Sequence, residues 1–239
     1  MTLPTIHFIS KNSDLRFPHP FLADEDGLLA IGGDLCPDRI ILAYRFGIFP
    51  WYSEEQPVLW WAPQERFVLD PTRIHVAKSM RRYINNPIFK FTTDQNFEYV
   101  IDKCQNIHRP GQDGTWITPE LKAAYIHLHK KGIAHSVEIW KNDQIVGGLY
   151  GLGVGHIFSG ESMFSEASDA SKYAVIVLGH ILRLKGYKLI DAQLHSTHME
   201  RLGGFSLSNH QYFDHLRSNL QIAIDTELWP FENPTWFPL

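Results

Sequence analysis

The chain has almost no cysteine. Its 239 residues hold two, Cys36 and Cys104, too few for a disulfide framework or a four-cysteine zinc motif, and a reducing compartment fits. No window approaches about eighteen consecutive apolar residues, so no membrane-spanning helix is expected. The opening MTLPTIHFISKNSD lacks a basic stretch followed by an apolar core, so no signal peptide is expected either, and the cytoplasm is the default. An excess of positive charge is also missing. The 22 basic residues face 26 acidic ones, for a formal charge of -4. That balance argues against a whole-surface nucleic-acid binder and leaves room for a local patch on phosphates. No GK[ST] follows the glycine-rich stretch, and no GxGxxG joins a strand to a helix, so neither a nucleoside triphosphate loop nor a dinucleotide site is expected. Thirteen histidines invite a metal reading. His195 and His198 with Asp191 could supply ligands, but they match no recognised zinc spacing and no metal is expected.

What the chain does have is apolar and aromatic mass. Hydrophobic residues make up 44% and aromatics 13%, with seven tryptophans and fifteen phenylalanines. Such a chain builds one large domain, or one ordinary domain beside a small one. Residues 1–65 read as an irregular, aromatic-rich unit. It contains a short helix introduced by Asp34 or Cys36, with Pro37 in its first turn and Gly47 after its end. A boundary is placed near Pro63. From 66 to 239 strands and helices alternate. Strands are expected at 66–69, 88–93, 134–140, 145–154, 156–164 and 187–193, and helices at 76–84, 95–104, 119–131, 169–185 and 209–219. Thr118-Pro119-Glu120 gives the clearest helix start, and KNDQ marks a hairpin. A short helix capped by Thr197 with Glu200 is expected before Gly203. The sum is an α+β layer fold, a mixed and largely antiparallel sheet flanked by helices.

Several clusters carry chemistry. In LIDAQ, Asp191 and Gln193 lie two apart, so on a strand they leave the same face. They read either as a relay, with Asp191 fixing the Gln193 amide so that its oxygen accepts from an amine, or as a strand end with two structural hydrogen bonds. Glu161, in SGESMFS, lies among apolar neighbours, where a carboxylate needs a cation or donors. It receives a positive N-terminus or else faces solvent at an edge. Ser162 lacks the second glycine of a nucleophile elbow. The run GGLYGLGVG serves close packing or forms the floor of a ligand site. Trp51, Trp60, Trp61 and Trp116 could stack a base or fill core. Lys78, Arg81 and Arg82 could meet phosphates or form a solvated helix face.

The strings GLLAIGGDL (27–35), YRFGIFPWYS (44–53), LWWAPQERFVL (59–69), GTWIT (114–118), HSVEIW (135–140), GGLYG (147–151), FSGESMFS (158–165), ASK (170–172) and KLIDAQ (188–193) run in order over most of the chain. Together they closely resemble the leucyl/phenylalanyl-tRNA–protein transferase family. The resemblance implies a small N-terminal α/β domain over 1–65 and a GNAT-like acyltransferase domain over 66–239. It implies transfer of Leu or Phe, less often Met, from aminoacyl-tRNA to the α-amine of proteins that begin with Arg or Lys, marking them for N-end-rule degradation. No cofactor, membrane or DNA is implied. The coenzyme A loop of GNAT enzymes is absent, with SEASDASKYA in its place, as suits a donor carried on tRNA. By the same resemblance Asp191 and Gln193 lie at the reaction centre, Glu161 near the acceptor amine, and Trp51 and Trp116 near the terminal adenosine. An apolar pocket is expected from Leu149, Phe158, Gly160, Met163, Ser165, Val175 and Ile190. Rival readings are a coenzyme A-dependent small-molecule N-acyltransferase and a noncatalytic RNA-binding module.

Overall fold

The computed structural model of the chain describes residues 6–11, 13–85, 88–107 and 115–229. The N-terminal part is more regular than its sequence suggests. Strands β1 (His7–Ile9), β2 (Leu28–Gly32), β3 (Phe49–Pro50) and β4 (Leu59–Trp61) form a four-stranded sheet in the order β1-β2-β4-β3, with helix α1 (Pro37–Arg45) between β2 and β3. Strands of two to five residues, interrupted by Gly and Pro, give no readable alternation; long-range pairing makes them a sheet.

The larger part runs β5 (Glu65–Leu69), α2 (Lys78–Asn85), β6 (Lys90–Thr93), α3 (Phe97–Asn106), α4 (Pro119–Lys130), β7 (Ala134–Lys141), β8 (Gln144–Val154), β9 (Ile157–Ser165), α5 (Ala170–Leu184), β10 (Leu189–Asp191), α6 (Thr197–Glu200), β11 (Phe205–Ser208) and α7 (Asn209–Asn219). Its seven-stranded sheet has the order β11-β5-β10-β9-β8-β7-β6. Among the described residues, β9 and β10 are the one parallel pair of this sheet. A mixed sheet flanked by helices behind a small N-terminal unit is the GNAT-like arrangement that the resemblance implies.

Local chemistry accounts for the clearest elements. The Thr118 hydroxyl accepts from the Leu121 N–H at 3.2 Å and Pro119 opens α4, a cap of about 1 kcal/mol. Asn142 and Asp143, both at positive φ, make the two-residue turn between β7 and β8. The glycines of β8 answer to packing. A Cβ on Gly151 would lie 2.1 Å from the Ser159 carbonyl oxygen, and one on Gly153 would lie 2.4 Å from the Tyr187 hydroxyl.

The sheet separates two cores. Helix α5 covers one face with Val175, Leu178 and Ile181 against Leu149, Phe158 and Ile190. The N-terminal sheet, α1, α3 and α4 cover the other, where Ile40, Trp60, Val100 and Tyr125 meet Tyr150 and Leu152. Helix α7 closes a third cluster, Tyr212 and Leu216 over Val68 and Leu189. The tail is pinned as far as it is described. Trp229 is fully buried and stacks on His135 at 3.8 Å, with its carbonyl taken by Thr93.

Three expectations need correction. The strand expected at 187–193 pairs only over Leu189–Asp191. Helix α6 is capped by Ser196 rather than Thr197, with no side-chain cap bond. Strand β11 was not anticipated. The capping box expected at Thr197 and Glu200 forms instead at α7, between Ser208 and Gln211.

Candidate active site

The site lies where β9 and β10 part. Their parallel pairing ends at Asp191 opposite Ser159. Beyond it, β9 continues while the other chain turns away at Gln193, whose φ of 58° is left-handed. A cavity of about 550 Å³ opens in the gap, lined by Gly160, Glu161, Ser162 and Met163 on one side and Ala192, Gln193 and Leu194 on the other. Four consecutive residues of one strand reach the same cavity because β9 is bulged. Tyr150 pairs with Ser162 and Gly151 with Gly160, leaving Glu161 without a partner between them. A bulge of this kind re-aims a side chain, and here it turns the Glu161 carboxylate into the gap.

The cavity has two characters. Leu149, Met163, Val175, Leu178 and Ile190 make an apolar end on the α5 face. Phe49, Trp51, Tyr150 and Trp116 line the end toward the N-terminal sheet. Trp51 is 40% exposed, and its carbonyl accepts from the Trp61 indole at 2.7 Å. Two residues expected in the pocket are not on its wall. Phe158 is fully buried behind it, 5.7 Å from the Trp229 ring. Ser165 stands exposed at the end of β9, its hydroxyl bonded to the Ala167 carbonyl. Gly160 does line the cavity, and a Cβ there would meet nothing nearer than 3.8 Å.

Between the two ends, Glu161 receives three donors. Tyr44 donates to one oxygen at 2.8 Å, Tyr125 to the other at 2.9 Å, and the Gln193 amide lies 3.4 Å from the first. The two hydroxyls are 2.7 Å apart. Burial, then the nearby Glu161 charge, pushes both phenols well above their usual range, so they stay protonated and act as donors. Tyr44 and Tyr125 escaped the sequence reading because each occupies the apolar stripe of its helix and so resembles core. Burial raises Glu161 from 4.5 to about 7, against the lowering pull of the two hydroxyls.

That shift gives a pH signature. The folded protein holds a proton that the unfolded chain releases between about pH 4.5 and 7. The contribution of Glu161 to stability is therefore full below that window and lost as pH rises through 7. In parallel thermal melts, the parent midpoint is expected to fall relative to Glu161→Gln between about pH 5 and 7.5; parallel curves would contradict it.

Asp191 is not where the strand reading puts it. It is fully buried and points away from the cavity toward α7. Its Oδ1 accepts from Arg66 Nε at 2.8 Å and from the Gln193 backbone N–H at 2.9 Å. Its Oδ2 accepts from Arg66 Nη2 at 2.7 Å and from the Tyr212 hydroxyl at 2.8 Å. With these acceptor positions filled, the partner of the Gln193 side chain is Glu161, and Asp191 holds only the Gln193 backbone. The same-face argument fails because Gln193 has left the strand. Arg66 was legible only as a charge in the otherwise apolar run RFVL.

Lys78 and Arg81 are exposed on α2 and do not line the cavity; the Arg82 side chain lies outside the described residues. Among the described residues no three His, Cys, Asp or Glu side chains are grouped to hold a metal. Among them, too, no helix is long and apolar enough to cross a membrane.

Comparison with known proteins gives the family of the chain. Residues 68–217 match the family model described as leucyl/phenylalanyl-tRNA protein transferase, and residues 33–64 match that of its N-terminal domain. A leucyl/phenylalanyl-tRNA–protein transferase of Flavobacterium johnsoniae is 51% identical over 205 residues, covering 86% of this chain and 97% of its own. One from Oleidesulfovibrio alaskensis is 44% identical over 229 residues, covering 94% and 92%. Among solved structures, L-PGS from Bacillus licheniformis aligns with a TM-score of 0.37 at 13% identity, covering 70% of this chain and 53% of that one. An aminoglycoside acetyltransferase from an uncultured soil metagenomic sample aligns with a TM-score of 0.35 at 12% identity, covering 65% and 99%. On the family match and the identity of these relatives, the chain belongs to the leucyl/phenylalanyl-tRNA–protein transferase family.

Proposed function

We propose that the apolar end of the cavity seats the donor side chain of an aminoacyl-tRNA while Glu161 and Gln193 receive the acceptor amine. The protein is an aminoacyltransferase that moves Leu or Phe from tRNA to the N-terminus of proteins beginning with Arg or Lys, and so marks them for degradation. One observation carries the assignment of the site. A single cavity joins five apolar side chains at one end to a carboxylate–amide pair in the middle. Its volume falls in the usual range of about 300–1,000 Å³ for small-ligand sites.

In this reading, the amine nitrogen attacks the ester carbonyl carbon, the bond to the ribose oxygen breaks, and an amide forms. One amine proton leaves with the ribose hydroxyl. An α-amine with a pKa of about 7.7–8.0 is partly neutral at physiological pH, so alignment matters more than a strong base. The Gln193 amide points its N–H toward Glu161, which leaves its oxygen to accept from the amine. The Glu161 carboxylate stabilises the positive charge that the amine nitrogen gains as it attacks. Asp191 serves by position, through the backbone of Gln193, rather than as a base. Trp51 and Trp116 offer flat faces to the terminal adenosine, and Lys78 and Arg81 meet tRNA phosphates. Free aminoacyl-tRNA puts the reaction in the cytoplasm.

Donor choice follows from the shape of the apolar end. One methylene is worth about 1–3 kcal/mol, or roughly 10–200-fold, so leucyl-tRNA is expected to outcompete valyl-tRNA by at least about tenfold. The test supplies labelled leucyl-tRNA with peptides that start with Arg or Ala. Label is expected on the Arg peptide. Equal labelling of both peptides defeats the acceptor assignment, and binding of aminoacyl-tRNA without turnover defeats the enzymatic one.

A further inference from the structure

The site has two halves, and one buried side chain touches the supports of both. Arg66 on β5 is 2% exposed. Its Nε and Nη2 grip Asp191, and its Nη1 donates to the Gly47 carbonyl at 2.8 Å. Its guanidinium lies between the rings of Phe49 and Tyr212, 4.8 Å from each centroid. We infer that Arg66 is a positioning residue that sets the Gln193 and Glu161 sides of the transfer centre together, an inference that rests on the transferase reading above.

Three lines run outward from this guanidinium. The first passes through Asp191, whose Oδ1 accepts the backbone N–H of Gln193 at 2.9 Å. That bond holds a residue other than glycine in a left-handed conformation, where it would not stay unaided. The Gln193 amide consequently faces the cavity. The second passes through the Gly47 carbonyl, two residues beyond the end of α1. Gly47 has a φ of 72° and no room for a side chain, since a Cβ would lie 2.8 Å from both Tyr212 and Leu216. The end of α1 is thereby clamped against α7, and α1 carries Tyr44, which donates to Glu161 at 2.8 Å. The third is direct, because the Phe49 ring stacked on Arg66 lines the cavity. Only a planar fork reaches the carboxylate with two donors and the carbonyl with a third. A lysine ammonium has no such geometry.

The arrangement also separates positioning from stability. Buried ion pairs are often replaceable by apolar residues of similar volume without loss of fold. The triple variant Arg66→Met, Asp191→Leu, Tyr212→Phe removes both charges and the phenol together and is expected to fold. Leucine transfer to an Arg-starting peptide is expected to lose at least tenfold in kcat, because Gln193 and Tyr44 lose their supports. The KM for leucyl-tRNA is expected to stay within about threefold, since the apolar end is untouched. Tyr212→Phe alone keeps the ring on Arg66 and deletes one donor to Asp191. It is expected to lower kcat about threefold to fivefold at unchanged KM, and it carries the test where the triple variant fails to fold. A folded triple variant, or Tyr212→Phe, that transfers leucine at the parental kcat overturns the inference. So does a loss that merely tracks the fraction of folded protein. The parent is assayed alongside; if it labels no peptide, the transferase reading fails instead.

Discussion

Asp191→Ala is expected to remove about 3–5 kcal/mol of stability, the usual consequence of stripping one partner from a buried ion pair. For a chain of this size that is a fall of roughly 6–20 °C in melting midpoint. The argument is geometric. Arg66 is 2% exposed and Asp191 fully buried, with an N–O distance of 2.7 Å. Burial opposes the charge on Arg66, and the Asp191 carboxylate more than offsets it, holding the guanidinium above its ordinary range. Without the carboxylate the charge keeps only the Gly47 carbonyl and two aromatic faces. The Tyr212 hydroxyl and the Gln193 N–H lose their acceptor at the same time. A surface control sets the scale: Arg73 and Asp70 pair at 3.5 Å, but Arg73 is 85% exposed, so Arg73→Ala is expected to lose less than about 1 kcal/mol. Urea unfolding of both variants measures the contrast. Similar losses in the two would mean that the buried network is no stronger than a solvated pair.

Glu161→Gln is expected to reduce kcat/KM for an Arg-starting peptide by roughly 10–100-fold, which corresponds to a charged hydrogen bond of about 1.5–3 kcal/mol. The amide keeps the size of the carboxylate and one acceptor oxygen. Tyr44 and Tyr125, already 2.7 Å apart, can still share that oxygen, so the fold should hold. What disappears is the negative charge in the gap between β9 and β10. The loss should appear in use of the acceptor, with the KM for leucyl-tRNA little changed, because the apolar end is formed by other side chains. If leucyl-tRNA binding weakens as much as peptide use, the carboxylate belongs to the donor side and the assignment is wrong.

The sequence spelled out elements whose causes are local. Thr118 and Pro119 start α4, Pro37 starts α1, Asn142 and Asp143 turn β7 into β8, and Lys185 with Gly186 ends α5. Each follows from chemistry within a few residues. The site was legible as residue types but not as geometry. Glu161 enters the cavity because a bulge leaves it unpaired, and a bulge depends on register with β8. Gln193 departs from the strand because Asp191 captures its N–H, and Asp191 is free to do so only where Arg66, 125 residues away, has fixed it. Tyr44 and Tyr125 count as core by pattern and as donors by position. The small N-terminal sheet has the same history, since its strands are too short to show alternation and exist by pairing alone.

The place of β5 in the sheet bears on how the protein is made. Its two neighbours, β10 and β11, both lie far downstream, whereas β6 to β9 pair with strands close in sequence. A ribosome adding about 5–20 residues per second needs roughly 6–24 seconds to pass from Leu69 to Leu189. Throughout that interval Phe67, Val68 and Leu69 lack their native strand partners, and the Arg66 guanidinium lacks Asp191. The nascent chain therefore carries a short apolar segment whose sheet partners are still to be made, and this part of the sheet can close only after β10 has emerged.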